Sequence, residues 1–208
     1  MGEKAASPDT ELEVKFYLSD LQRLEKKLSG IGELRAGRVH EVNLRLDTPD
    51  HALLSTGRLL RLRQDSRYRL TYKGPGSQQG GARLRQELEV GLSDFDTTLH
   101  LFEALGYTVV LMYEKYRTTY QLGQVEVVVD VTPIGDFLEI EGPDGESIRQ
   151  AATELGLDWE KRILDSYTML FEHTRTTLGF DFRDMSFENF EGVMVTPDVI
   201  GVNPADEA

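Results

Sequence analysis

The chain has 208 residues, 39% of them hydrophobic and 28% charged, a balance that suits one globular domain with a tail. Its formal net charge is −13, from 23 basic and 36 acidic residues, so the field of the whole molecule repels nucleic acid and anionic membranes. It has no cysteine, which excludes disulfides, thiolate nucleophiles and cysteine-ligated metals.

No apolar run approaches a membrane span, and the opening "MGEKAASPDT" lacks the hydrophobic stretch of a secretory signal. Gly2 suggests myristoylation, but Ala6 stands where that pattern wants Ser or Thr. A cytoplasmic location, with neither nucleic acid nor membrane as partner, is the expectation. A small polyanion in a locally basic pocket remains compatible with the net charge.

In chain order, residues 1–9 form an N-terminal extension, and "ELEVKF" (11–16) alternates as a half-buried strand. "SDLQRLEKKLSGIG" (19–32) is a helix: Ser19 or Asp20 caps it, Leu21, Leu24 and Leu28 form its apolar stripe, and Gly30 and Gly32 end it. Extended "RVHEVNLRLDTPD" (38–50) runs into a turn, and "HALLSTG" makes a short helix or turn. Strands follow at 58–64 and 68–74, then a flexible loop "PGSQQGG" (75–81) and a strand at 82–91. "SDFDTTLHLFEALG" (93–106) is a second helix, followed by strands at 108–122, 124–132 and 136–142 with tight Gly-containing connections. Helices are predicted over 144–157 and 160–174, and from about Val195 the residues mix Pro, Gly, Asn and acids without periodicity, as a disordered tail does. About eight alternating strands with a few helices predict an antiparallel barrel or sandwich rather than a doubly wound parallel sheet.

The strands repeat one pattern. Glu11, Glu13 and Lys15 share a face, as do Arg61 and Arg63, Glu87 and Glu89, Lys115 and Arg117, and Glu139 and Glu141. Arg69, Thr71 and Lys73 form a further set, and so do Glu126, Val128 and Asp130. On a single strand such a face simply meets water. On seven strands, with Leu, Val, Ile, Tyr and Phe opposite, the apolar faces need helices as cover and the charged faces point together into a lumen. Lumens of small barrels are normally apolar, and a charged one is costly to desolvate. It suits a ligand carrying both demands: phosphate oxygens for Arg and Lys, and a divalent cation such as Mg²⁺ or Mn²⁺ for the carboxylates.

Glu11-x-Glu13-x-Lys15 resembles the E-x-E-x-K signature of the CYTH superfamily, the triphosphate tunnel metalloenzymes. "LLRLR", "TYKGP", "ELEV", "EKYRTTY", a strand ending in Asp130, and "FLEIEG" follow in the family's order, and "LTYKGP" looks like its class IV adenylate cyclase branch. The similarity covers about residues 10–172. It implies an α+β fold: an eight-stranded antiparallel β-barrel, a tunnel open at both ends, with amphipathic helices packed outside. The tunnel domain spans 10–174, and 175–208 is a C-terminal extension expected to be partly disordered.

The resemblance further implies that Lys15, Arg61, Arg63, Lys73, Lys115 and Arg117 bind the triphosphate. Glu11, Glu13, Asp130, Glu139 and Glu141 fall on the metal side, with Glu87 and Glu89 as further contributors; Lys15, Lys73 and Asp130 are the expected catalytic residues. The implied cofactor is Mg²⁺ or Mn²⁺, and the implied partner is a small-molecule triphosphate: ATP, tripolyphosphate or thiamine triphosphate. Arg85 and Glu126 share faces with these sets and stay outside them. "HEVNLRLDTPD" departs from the Gln-x-Asp-x-Tyr-Phe-like run of class IV members, which leaves base preference open.

Within this reading a cyclase, making cyclic AMP and pyrophosphate, competes with a triphosphatase. A non-catalytic polyphosphate-binding module needs fewer acids, and a carrier of apolar ligands conflicts with the charged lumen. His40, His51, His100 and His173 are scattered without metal-ligand spacing, "GPGSQQGG" lacks the Gly-Lys-Ser/Thr ending of a phosphate loop, and Trp159 reads as packing. Ser166 and Tyr167 fall on the last predicted helix with no base beside them, so neither supports a serine nucleophile.

Overall fold

The computed structural model describes residues 9–207, so all but Asp9 of the expected N-terminal extension lies outside the described residues. Eight strands form: β1 (Thr10–Leu18), β2 (Glu33–Asp47), β3 (Leu59–Gln64), β4 (Tyr68–Gln79), β5 (Ala82–Leu92), β6 (Thr108–Leu122), β7 (Val125–Thr132) and β8 (Gly135–Glu141). They close antiparallel in the order β1-β5-β4-β3-β2-β6-β7-β8, which settles the barrel-or-sandwich alternative as the α+β barrel that the family resemblance implies.

One hairpin owes its tightness to two glycines. Gly80 and Gly81 join β4 to β5 with φ of +57° and +80°, the doubly left-handed turn that matches strand twist. "PGSQQGG" is therefore strand and turn, not the expected flexible loop. Pro75 has no N–H, so the ladder breaks between Lys73 and Gly76 and then resumes. The Gly74 carbonyl freed there accepts from Arg85 Nε and Nη2 at 3.0 and 2.7 Å.

Helices cover the outer faces. Asp20 caps α1 (Leu21–Ile31) by accepting from Arg23 N, and Leu24 and Leu28 turn toward the barrel. With Ile148, Ala152 and Leu155 of α3 (Gly145–Leu155) they bury Leu12, Val14, Phe16, Val127 and Ile140. On the other side Phe95, Leu99 and Phe102 of α2 (Phe95–Ala104) pack over Leu46, Leu60 and Leu62. Each such aliphatic side chain contributes roughly 1.5–3 kcal/mol on full burial.

The helix expected over 160–174 is broken. Residues Trp159–Lys161 form a single 3-10 turn, and Ile163 is extended, exchanging backbone hydrogen bonds with Lys15 at 3.2 and 2.7 Å. Only after Ser166, whose side chain accepts from Met169 N, does α4 (Tyr167–Leu178) begin. The cause is a vacancy in the sheet: β1 pairs β5 only over Thr10–Glu13, which leaves the later part of β1 an unpaired edge. Ile163 takes part of that edge, and Ala205 N takes more by bonding Tyr17 O at 2.9 Å.

The C-terminal extension also departs from the expected disorder. Met185 pairs beside Tyr113, where β6 has no β7 partner, and the short helix α5 (Pro197–Ile200) packs on α4. Asp206 accepts from the backbone of Ser19 and Asp20 at 2.8 and 2.7 Å, which anchors the chain end to the start of α1. Phe180, Phe182 and Phe190 surround Phe171 of α4, an aromatic cluster that carries no alternation or helical period for a pattern search to find.

These segments close one end of the barrel. The inward series of β1, β6 and β8 ends in Tyr17, Leu111 and Phe137, which pack with Tyr167 and Phe171 instead of facing an opening. The tunnel is stoppered at the α4 end, whereas the family resemblance implies two open ends. Phe171→Ala should destabilise the protein by about 3–5 kcal/mol, because the stopper has no way to collapse around the lost ring. Met194→Ala, at a side chain 82% exposed, should stay near wild type in the same denaturant titration. Equal stability of the two variants would mean that the stopper is not part of the cooperative fold.

Candidate active site

The inward parity puts charge where it was predicted. A cavity of about 540 Å³ is lined by Lys15, Arg61, Arg63, Lys73, Lys115 and Arg117 together with Glu11, Glu13, Glu87, Glu89, Glu139 and Glu141. Asp130 lies behind this wall, fully buried, and reaches the cavity only through its partners.

Opposite signs meet in pairs. Lys15 Nζ meets Glu139 at 2.7 Å, Lys73 meets Glu11 and, at 2.8 Å, Glu87, and Arg61 lies 3.7 and 3.9 Å from Glu87 and Glu89. Asp130 Oδ2 accepts from Lys115 Nζ at 2.7 Å and Arg117 Nη2 at 2.6 Å, while Oδ1 accepts from Arg117 Nε at 2.7 Å. Arg117 also bridges to Glu139. Every predicted cation therefore has a carboxylate partner, which offsets the desolvation that a charged lumen demands.

Sequence reasoning missed four side chains here. Glu41 is 3% exposed, accepts from Arg63 Nη1 at 3.1 Å and lies 3.8 Å from Lys115 Nζ. Burial would raise its pKa, but Arg117, Lys115 and Arg63 hold it down at about 2. Asn43 accepts from Arg63 Nε at 2.8 Å, and Tyr113 lines the same wall. The signal was present: Glu41, Asn43 and Arg45 are spaced by two in "EVNLR", the same parity as the other strands. Tyr167 was missed because the break before α4, which sets its position at the cavity, leaves no mark in the sequence. Its hydroxyl donates to Asp130 Oδ2 at 2.8 Å, and its ring lies 4.3 Å from Lys15 Nζ and 4.9 Å from Lys115 Nζ.

The two ends of the cavity differ. Toward α4, Arg61, Arg63, Lys115 and Arg117 concentrate positive charge, and the buried Arg61 Nε and Asn43 Nδ2 have no hydrogen-bond partner within the described residues. Burial and then Arg117 push the Lys115 ammonium below its usual pKa, against Asp130, Glu139 and Glu41. At the open mouth the acids dominate. Glu141 is pushed up to about 8 by burial, then by repulsion from Glu11, Glu126 and Glu13. Glu13 is likewise raised, by burial and then by Glu11 and Glu139.

Crowded carboxylates of this kind are relieved by a bound cation. Among the described residues no three His, Asp or Glu side chains form a ready-made cation cage. Glu11, Glu13 and Glu141 at the mouth fit such a cation. Asp130 and Glu139 do so less well, because their oxygens are already held by Lys15, Lys115 and Arg117.

Residues 9–167 match the CYTH domain family. A protein of Methanocaldococcus jannaschii named "Putative adenylate cyclase" is 28% identical over 133 residues, covering 63% of this chain and 75% of its own. Among solved structures, one from Vibrio parahaemolyticus described as "a putative adenylate cyclase" superposes with a TM-score of 0.72 at 19% identity, over 80% of this chain and 99% of its own. A Hippeastrum protein described as a "Putative adenylyl cyclase" with "a dominant triphophatase activity" gives 0.56 at 16% identity, over 78% and 95%. No helix among the described residues is long and apolar enough to cross a membrane.

The mouth acids give a pH test. A free Glu titrates near ~4.3, and Glu141 does so at about 8 in the fold, so the folded state keeps a proton that the unfolded chain loses. Stability from this group is present below the lower value and is lost as pH rises toward the upper one. In metal-free buffer Glu141→Gln should therefore melt above wild type near pH ~8.5 and level with it near pH ~4. A constant difference across that range would show that Glu141 is not crowded.

Proposed function

The chain belongs to the CYTH family, and we propose that it is a metal-dependent enzyme that hydrolyses a triphosphate held in the barrel lumen. The observation that carries the reading is the convergence of six cations from β1, β3, β4 and β6 on one cavity that opens at an acid-lined mouth. Phosphoryl transfer asks a protein mainly for positioning and charge neutralisation, and this lumen supplies both.

Lys15, Lys73, Arg61, Arg63, Lys115 and Arg117 bind the phosphate oxygens, exchanging part of their carboxylate contacts for substrate. Glu11, Glu13 and Glu141, with Glu87 beside them, hold the divalent cation, Mg²⁺ or Mn²⁺, which when bound neutralises phosphate charge at the mouth. Asp130 and Glu139 keep Lys15, Lys115 and Arg117 extended into the lumen. Water attacks the terminal phosphorus, the bridging P–O bond breaks, and the proton of the water is taken up by the phosphate oxygens of the products. The departing anion stays neutralised by the lumen cations until it leaves.

Adenylate cyclase activity is the second reading, favoured by the similarity to the Methanocaldococcus jannaschii protein of that name. It directs a ribose hydroxyl at the α-phosphorus. Against it, the aliphatic lining among the described residues is only Leu59 and Leu88, and the ring of Tyr167 is already taken by two ammonium groups. Product analysis separates the readings: incubation of ATP, tripolyphosphate and thiamine triphosphate with Mg²⁺ or Mn²⁺ should release orthophosphate. Cyclic AMP as the main product from ATP would establish the cyclase.

Turnover should vanish in excess chelator while the circular dichroism spectrum is kept, and full turnover there would remove the metal assignment. Arg63→Ala and Lys115→Ala should each lower kcat/KM by about 10²-fold or more, whereas Lys27→Ala on the exposed side of α1 should be silent. Unchanged kinetics in the two lumen variants would refute the tunnel site.

Tripolyphosphate with Mg²⁺ at a hundredfold excess over Kd should stabilise the fold by roughly 2.7 kcal/mol. Orthophosphate at equal concentration should do much less, since it cannot span cations on several strands. Equal thermal shifts from the two would indicate a generic anion site.

A further inference from the structure

Tyr167 is the first residue of α4, aimed inward from the stopper into the charged lumen. Asp130 holds Lys115 and Arg117 but does not reach the cavity, so whatever fixes Asp130 fixes those two cations. Of the donors to Asp130 Oδ2, Lys115 and Arg117 are the very groups that must turn toward a ligand, and Tyr167 is the uncharged one that stays. Its ring also backs the ammoniums of Lys15 and Lys115. The approach to Tyr167 is fixed from both sides: Ile163 is bonded to the Lys15 backbone, and the Thr168 hydroxyl accepts from Arg45 Nη1 at 2.9 Å.

We propose that Tyr167 is a positioning residue: by donating to Asp130 it fixes that carboxylate in place, and Asp130 in turn aims Lys115 and Arg117 at the phosphate oxygens. The inference rests on the triphosphate reading. Without the hydroxyl, Asp130 loses the one donor that does not move toward a ligand, and the aim of Lys115 and Arg117 loosens with it. Burial, then Asp130 and Glu139, keep the phenol protonated well beyond its usual range, so it remains a donor wherever the protein is folded.

The test measures affinity for imidotriphosphate, which is not hydrolysed, with Mg²⁺ by calorimetry. Tyr167→Phe keeps the ring and its packing, so its melting temperature should stay close to wild type while binding weakens about tenfold. Asp130→Asn should weaken binding too, and adding Tyr167→Phe to it should cost little more, because the hydroxyl acts only through that carboxylate. If Asp130→Asn does not fold, Lys115→Met and Arg117→Gln together serve as the background in which the Tyr167 effect should disappear. Wild-type affinity in Tyr167→Phe, or losses that simply add in the double variants, would overturn the inference while leaving the triphosphate reading intact. Failure of the wild type itself to bind would remove that reading, and the inference with it.

Discussion

A charge taken out of water must be compensated, and this barrel places more than a dozen charged side chains on its inner wall. Pairing of opposite signs is how the fold satisfies that demand. Asp130 shows it most plainly, with both oxygens engaged by Lys115, Arg117 and Tyr167 and no exposure to solvent. The usual arrangement of a small barrel is inverted as a result. Apolar side chains that would fill a lumen lie outside, where α1, α2 and α3 have to cover them.

The period-two rule that makes the lumen legible also limits what can be read. Lys15 and Arg117 were visible because each stands beside another charge at the same parity. Glu41 obeys the rule too, but its neighbours in the series are Asn43 and Arg45, so the strand does not show a run of one sign. Helix caps were legible at Asp20 and Asp94, where a side chain accepts from the third residue onward. The break near Ile163 was not, because it answers an unpaired strand edge almost 150 residues away in sequence. The C-terminal residues were misread for a related reason. Their order comes from Phe171, Tyr17 and the backbone of Ser19, none of which is local.

The inner wall changes character along its length for a reason visible in single strands. On β8 the inward positions run Glu141, Glu139, Phe137, and on β1 they run Glu13, Lys15, Tyr17. The aromatic end of each series meets α4, and the acidic end meets solvent. One alternation thus delivers ion-pairing groups, a graded charge and a hydrophobic floor, and a shift of one residue in register would lose all three.

The closed end makes the cavity a place with an order of arrival. Any linear ligand enters leading end first, and its trailing end remains at the acidic rim. If such a ligand is cut inside, the fragment beside Tyr167 stays behind the fragment at the rim, so the last part in is the first part out. Retention of the inner fragment then depends on how firmly Lys115 and Arg117 return to Asp130 once the outer fragment has gone.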